Sequence, residues 1–303
     1  MDIQPITNEN VTAVWELYRR SVGECDRLPL DWFEYKVLGD PNFDPNVSLV
    51  LLDSGRPVAF MDAVVRVSDE GPVGFLKAWA TDADQRGRGL ATSLYKRVED
   101  RFRELGACRV EAGWARPHYF TPGIDANAYT PAIAFLLRRG FSRTKMSYNM
   151  DLPLDRAFTD QVLEQRLATQ GITIRRMEHA EKDRLIAWMG EDGWSPGWQY
   201  QNARACDAEP PAVIVAEKDG RYLGFAVYDA VRPGWFGPMG TSQSLRGSGI
   251  GGATFLRCMD EMRAKGYPVC RICAVGPLYF YWKIAGALVS RIWWIMEKDL
   301  RNS

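Results

Sequence analysis

The chain has no excess of either charge: Lys plus Arg and Asp plus Glu both number 38 in 303 residues. That balance gives no electrostatic reason to expect a nucleic acid or an anionic membrane as partner. No stretch approaches the roughly 18 consecutive apolar residues that a membrane span needs. The opening MDIQPITNEN has neither a basic end nor an apolar core, so it does not read as a signal peptide, and a cytoplasmic location is expected. With only two histidines, His118 and His179, a histidine-rich metal site or a histidine triad is not expected. Six cysteines are scattered along the chain. Cys270 and Cys273 make a CxxC, but it lies in the strand-like run VCRICAV, with no second ligand pair and no helix N-terminus beside it. Buried free thiols are the expectation there, and no metal. Gly-Lys-Ser/Thr is missing, and so is Gly-x-Gly-x-x-Gly with an acidic residue about 20 positions on, which excludes the nucleotide-hydrolase and dinucleotide phosphate loops.

What is present occurs twice. Arg86-Gly87-Arg88-Gly89-Leu90-Ala91 and Arg246-Gly247-Ser248-Gly249-Ile250-Gly251 both read Arg-Gly-x-Gly-aliphatic-small. Each follows a strand-like run and opens an amphipathic helix. Glycine permits φ > 0 and close approach of the backbone. The unbonded N–H groups of a helix's first turn, with its dipole, attract an anion. Around these loops the pattern strand, helix, strands, loop, helix, strand is written out once in each half, which is an internal repeat. In the first half it runs from a strand at Ile3–Ile6 through hairpin strands 47–52 and 57–67 and a third strand 74–81 to the helix 90–105 and a strand 109–115. The second half repeats it from a strand at 172–177 to a helix at 250–265 and a strand at 269–275. Gly106 and Gly266 end the two long helices. The expected division is 1–152, a linker helix within 153–171, and 172–303, each half long enough for its own core.

Arg-Gly-x-Gly-Leu/Ile-Ala/Gly between a strand and a long helix resembles the acyl-CoA pyrophosphate loop of the GCN5-related N-acetyltransferase (GNAT) family. Arg139-Gly140-Phe141 and Ala285-Gly286-Ala287, each leading into a last strand, fit the family's closing pattern. The resemblance implies an α/β fold of two tandem domains, each a mixed, splayed sheet flanked by helices. It implies acetyl-CoA as co-substrate, with its pyrophosphate on Arg86–Ala91 or Arg246–Gly251. The pantetheine arm would lie along Trp79, Ala80 and Thr81 or Met239, Gly240 and Thr241. Direct transfer to a primary amine of a small-molecule acceptor follows. The alternative is a non-catalytic acyl-CoA-binding or regulatory protein of the same tandem form.

The family often uses a tyrosine on the last helix, shortly before the closing glycine, to protonate the leaving thiolate. In the first half the matching position is Leu136, which has no proton to give. In the second half Tyr281 lies one residue further from Gly286 than usual, with Tyr279 as the spare. The chemistry is therefore expected in the second half. Glu111, Asp62 and Asp229 are the candidate bases on strands. Trp194 and Trp198 fall where the family places its acceptor-binding loop. From Arg86 to Gly140 is 54 residues but from Arg246 to Gly286 only 40, and the excess falls near 116–130. That aromatic stretch, with Tyr119 and Phe120, either caps a contact between the halves or walls a substrate pocket.

Overall fold

A computed structural model describes residues 1–301. In chain order the elements are β1 (Asp2–Pro5), α1 (Val11–Ser21), α2 (Leu30–Val37), β2 (Leu49–Asp53), β3 (Arg56–Ser68), β4 (Gly71–Thr81), α3 (Leu90–Glu104), β5 (Arg109–Ala112), β6 (Ile124–Asp125), α4 (Thr130–Leu137) and β7 (Ser142–Pro153). Then follow α5 (Gln161–Ala168), β8 (Thr173–Arg176), α6 (Lys182–Glu191), α7 (Pro196–Cys206), β9 (Val213–Lys218), β10 (Arg221–Tyr228), β11 (Trp235–Thr241), α8 (Ile250–Ala264), β12 (Val269–Ile272), α9 (Leu278–Ala285) and β13 (Leu288–Asp299). The order of elements repeats as the sequence pattern implies.

The chain forms two compact units, residues 1–147 with 292–303, and residues 148–291. These differ from the linear division at 152 and 172. The cause lies in the two closing strands. Residues 296–299 pair antiparallel with β5, whereas residues 150–153 pair antiparallel with β12. Each short strand after a long helix thus takes its outer neighbour from the other sequence repeat. Alternation within a strand specifies its faces but not its partner.

In the first unit β1 to β5 lie in sequence order, antiparallel except for the β4–β5 pair, which is parallel. One face is covered by α3, whose Leu90, Leu94, Val98 and Phe102 stripe is buried against Met61, Leu76, Val110 and Met296. Gly74 is required there because a β-carbon would stand 2.5 Å from the Phe102 ring. On the other face α1 and α2 bury Val14, Leu17, Phe33 and Val37 with Phe60 and Phe120.

In the second unit the order is β8, β9, β10, β11, β12 and then the end of β7; β11 and β12 are parallel. Here α8 packs Ile250, Phe255, Met259 and Met262 into the core of that unit. Trp188 of α6 packs at 6.2 Å, edge-on, against Phe225 of β10.

Candidate active site

The anion loops come first, because local geometry builds them. Gly87 and Gly89 have φ of +78° and +80°, and Gly247 and Gly249 have +87° and +99°. Gly89 and Gly249 are the left-handed N-caps of α3 and α8. In the first unit the helix bonds begin with the N–H groups of Thr92 and Ser93, both onto Gly89 O at 3.0 Å. The earlier N–H groups, of Leu90 and Ala91, have no partner among the described residues. A β-carbon on Gly87 or Gly89 would meet nothing within 4 Å. The turn is therefore open, with idle donors at a helix's positive end, which fits a diphosphate. Arg86 and Arg88 stand exposed beside it, Arg86 donating from Nε to Thr81 O at 3.3 Å and Arg88 bonded to Gln85.

Next to each loop two strands part. In the first unit β4 and β5 are in register only from Val73↔Arg109 to Leu76↔Ala112, closed by the Gly113 N–H on Leu76 O at 3.2 Å. β4 then runs on alone to Thr81. The Asp82 N–H is bonded to Val58 O at 2.9 Å. Antiparallel alternation therefore turns the peptides of Trp79 and Thr81 away from β3, toward the edge that β5 has left, while that of Ala80 faces β3. The second unit repeats this. β11 and β12 pair only through Trp235↔Arg271 and Phe236↔Ile272, with Cys273 N–H on Phe236 O at 3.1 Å. Ser242 N–H bonds Leu223 O at 3.0 Å, so the Met239 and Thr241 peptides face the open edge and that of Gly240 faces β10. Both long strands carry a bulge at the level where they part: Lys77 in β4, Gly237-Pro238 in β11.

Around the first bulge lies a closed set of charges. Lys77 is buried, its Nζ 2.9 Å from Asp40 and 3.3 Å from Asp62, and bonded to the Lys36 carbonyl. Arg66 pairs with Asp40 at 2.8 Å, and Lys36, also buried, donates to Tyr119 O at 2.7 Å. Burial works against the Asp40 carboxylate, but Lys77 and Arg66 outweigh it and hold its pKa low. At Asp62 burial wins over Lys77 and raises the pKa. Burial keeps His118 neutral, its pKa lowered to about 4. Tyr119 and Phe120 are 6% and 4% exposed and pack against α2. The long 116–130 stretch is thus anchored in the first unit's own core at these residues.

The catalytic candidates separate. Glu111 is on β5 of the first unit, directly opposite Glu297 in register. Burial, and then the Glu297 carboxylate, push its pKa up to about 7 against the attraction of Lys145, Arg109 and Arg116. Leu136 of the same unit is fully buried. Tyr281 is in the second unit, 6% exposed, its ring against Phe236, Phe255 and Phe280. Burial raises its pKa, and its hydroxyl has no hydrogen bond among the described residues. Phe236 is the last paired residue before β11 and β12 part, so Tyr281 is packed at the root of that opening. Tyr279 is 65% exposed, its ring tilted against that of Trp282 at 5.7 Å. Glu111 thus lies in the first unit and Tyr281 in the second. Asp229 holds a turn, accepting from Gly234 N–H, Lys265 and Tyr267. Trp194 and Trp198 stack at 5.4 Å, and Trp194 lies on Gly240, where a β-carbon would come within 2.5 Å of its ring. All six cysteines are free, and among the described residues no group of His, Cys, Asp and Glu could hold a metal. Nor is any described helix long and apolar enough to cross a membrane.

A strand that parts from its parallel neighbour, followed by a glycine turn capping a long helix, defines an acyl-CoA transferase architecture, here built twice. The acetyltransferase (GNAT) family model matches residues 11–141 and 175–277, and the chain belongs to this family. It is 28% identical over 198 residues to a mycothiol acetyltransferase of Thermomonospora curvata; the match covers 61% of this chain and 59% of that protein. Its fold is similar to a tandem GNAT protein from the clavulanic acid biosynthesis pathway, with a TM-score of 0.71, 15% identity and 98% of both chains covered. It is also similar to the glucosamine N-acetyltransferase region of a fungal multi-domain β-N-acetylglucosaminidase, with a TM-score of 0.78 and 18% identity. There 98% of this chain matches 38% of the other. At such identities the solved structures speak for the fold alone.

Proposed function

We propose that the protein is an N-acetyltransferase that moves an acetyl group from acetyl-CoA directly to a primary amine of a small molecule, and that the second unit carries out the transfer. Family membership supports the acyl-transfer class, and the mycothiol acetyltransferase relative supports a small-molecule acceptor. The observation that carries the choice of unit is Tyr281: a phenol kept protonated by burial, without a hydrogen-bond partner among the described residues, where β11 and β12 part. Acetyl-CoA supplies an activated acyl carbon. On this reading the β11 edge at Met239 and Thr241 aligns the arm and the 246–251 turn holds the diphosphate. The acceptor nitrogen forms the new bond to the acyl carbon as the carbon–sulfur bond breaks. The Tyr281 hydroxyl gives its proton to the departing sulfur and is reprotonated by water, and the amine's own proton leaves to water.

The first unit supports a different role. In the first unit the family's tyrosine spacing before Gly140 falls on Leu136, which has no proton to give, and the buried Lys77–Asp40–Asp62 set fills the α2-covered face of β4 beside the parting strands. With its glycine turn open, this unit is read as holding coenzyme without transferring. The test is thiol release from acetyl-CoA across a panel of small primary amines, with Tyr281→Phe alongside. A variant as fast as the parent would remove the second unit's phenol from the mechanism.

A further inference from the structure

The two glycine turns are not equally bare. Where a β-carbon would stand on Gly249, the Arg166 Nη2 atom is 2.7 Å away and the Leu163 Cδ1 atom 2.8 Å away. Both side chains come from α5, which lies between the two repeats in sequence and is not part of either. They are three residues apart and so share one helix face. This helix is pinned rather than loose. Its N-cap Asp160 accepts from Leu163 N–H at 3.0 Å, Leu167 is fully buried, and just before it the N–H groups of Phe158 and Thr159 bond Asp260 of α8 at 3.0 and 2.7 Å. Arg166 makes one hydrogen bond, from Nη2 to Ser248 O at 3.2 Å. Its other N–H donors have no partner among the described residues, and the side chain is exposed beside the turn.

The Ile250 N–H of this turn bonds Ser248 Oγ at 3.4 Å, while those of Gly251 and Gly252 have no partner among the described residues. A guanidinium fixed on a packed helix, with idle donors beside these two amides, is arranged for an anion with several oxygens. The first turn has a different neighbour. Arg139 comes from the end of α4, stacks 3.5 Å over Phe135, donates to Phe135 O at 2.7 Å and bonds Thr92. Its guanidinium is committed to the protein. We propose that Arg166 is a coenzyme-binding residue of the second unit, giving the phosphates of the coenzyme a guanidinium from outside the repeated fold. This rests on the reading that the 246–251 turn takes the diphosphate.

Calorimetric titration with acetyl-CoA tests it without requiring turnover. The background is Gly89→Val, which puts a branched residue at a φ of +80° and disables the first turn. Adding Arg166→Gln should weaken binding about tenfold or more, Arg166→Lys should recover part of the loss, and thermal melts should stay unchanged because the side chain is exposed. Equal affinity with glutamine would overturn the proposal. So would tighter binding, which would make α5 a cover on the turn rather than part of the site. Absence of any binding while Arg166 is present would overturn the coenzyme reading of the second turn, and the proposal with it.

Discussion

The same bulge is built from opposite materials in the two units. In β4 it is Lys77, whose ammonium is buried between two aspartates. In β11 it is Gly237-Pro238, which brings no side-chain charge at all. A second difference runs the same way: counted back from the closing glycine by the family's spacing, the first unit offers Leu136, the second the Tyr281 phenol, which has no hydrogen-bond partner among the described residues. The backbone devices for a coenzyme, a left-handed glycine N-cap and a free strand edge, are present in both. On the proposed reading, the two units share the backbone geometry suited to binding while the side chains beside the parting strands differ. Backbone amides recognise a diphosphate whatever the neighbouring residues are, whereas proton transfer depends on a few named groups.

The two units should differ most at Tyr281. Tyr281→Phe keeps the ring and its packing and removes only the hydroxyl. It should lower turnover about 100-fold or more while calorimetry finds acetyl-CoA affinity unchanged. Next in size is Lys77→Met. It leaves Asp40 with Arg66 alone and Asp62 without its cation, both buried, and should destabilise the first unit by about 3–5 kcal/mol in denaturant titration. A variant as stable as the parent would mean that the aspartates take up protons at little cost. Smaller still is the effect of the turns themselves. If both hold coenzyme, binding stoichiometry should fall from two to one with either Gly89→Val or Gly249→Val, since valine is strained at these φ values.

How far these features can be read from sequence follows from how local they are. The glycine turns and the helices they open depend on a handful of consecutive residues, and both were expected where they occur. The Trp194–Trp198 pair was also visible, but not its stacking over Gly240, which depends on β11 coming underneath. Strand exchange was invisible, because the periodicity of 148–153 and 292–299 marks strands without naming neighbours. The buried ion set was missed for another reason: Lys and Asp are ordinarily surface residues. A signal did exist. Asp62 interrupts AFMDAVV and Lys77 interrupts GFLKAWA, one charge of each sign in the middle of adjacent apolar strands. Two such interruptions on a hairpin are a reason to pair them. Tyr281 was placed by its spacing from Gly286, yet its depth among Phe236, Phe255 and Phe280 could come only from the fold.

The smallest effect concerns Glu111, which sharpens the comparison because the second unit has Arg271 at the corresponding register, opposite Trp235 as Glu111 is opposite Phe75. Burial, reinforced by Glu297, raises the Glu111 pKa from its usual 4.5 to about 7. A carboxyl whose folded pKa exceeds its unfolded one binds more protons in the native state between the two values. Its contribution is fully present below about pH 4.5 and is lost as pH rises through about 7. Glu111→Gln cannot ionise, so between pH 5 and pH 8 its melting temperature should fall less than the parent's. Glu297→Gln removes a like charge across the strand pair and should lower the Glu111 pKa, readable by carboxyl carbon resonance titration. Turnover should keep its pH profile in both variants, because the transfer is assigned to the other unit. A profile that moves with Glu297→Gln would instead bring Glu111 into the chemistry and end the division of labour argued from Lys77, Leu136 and Tyr281.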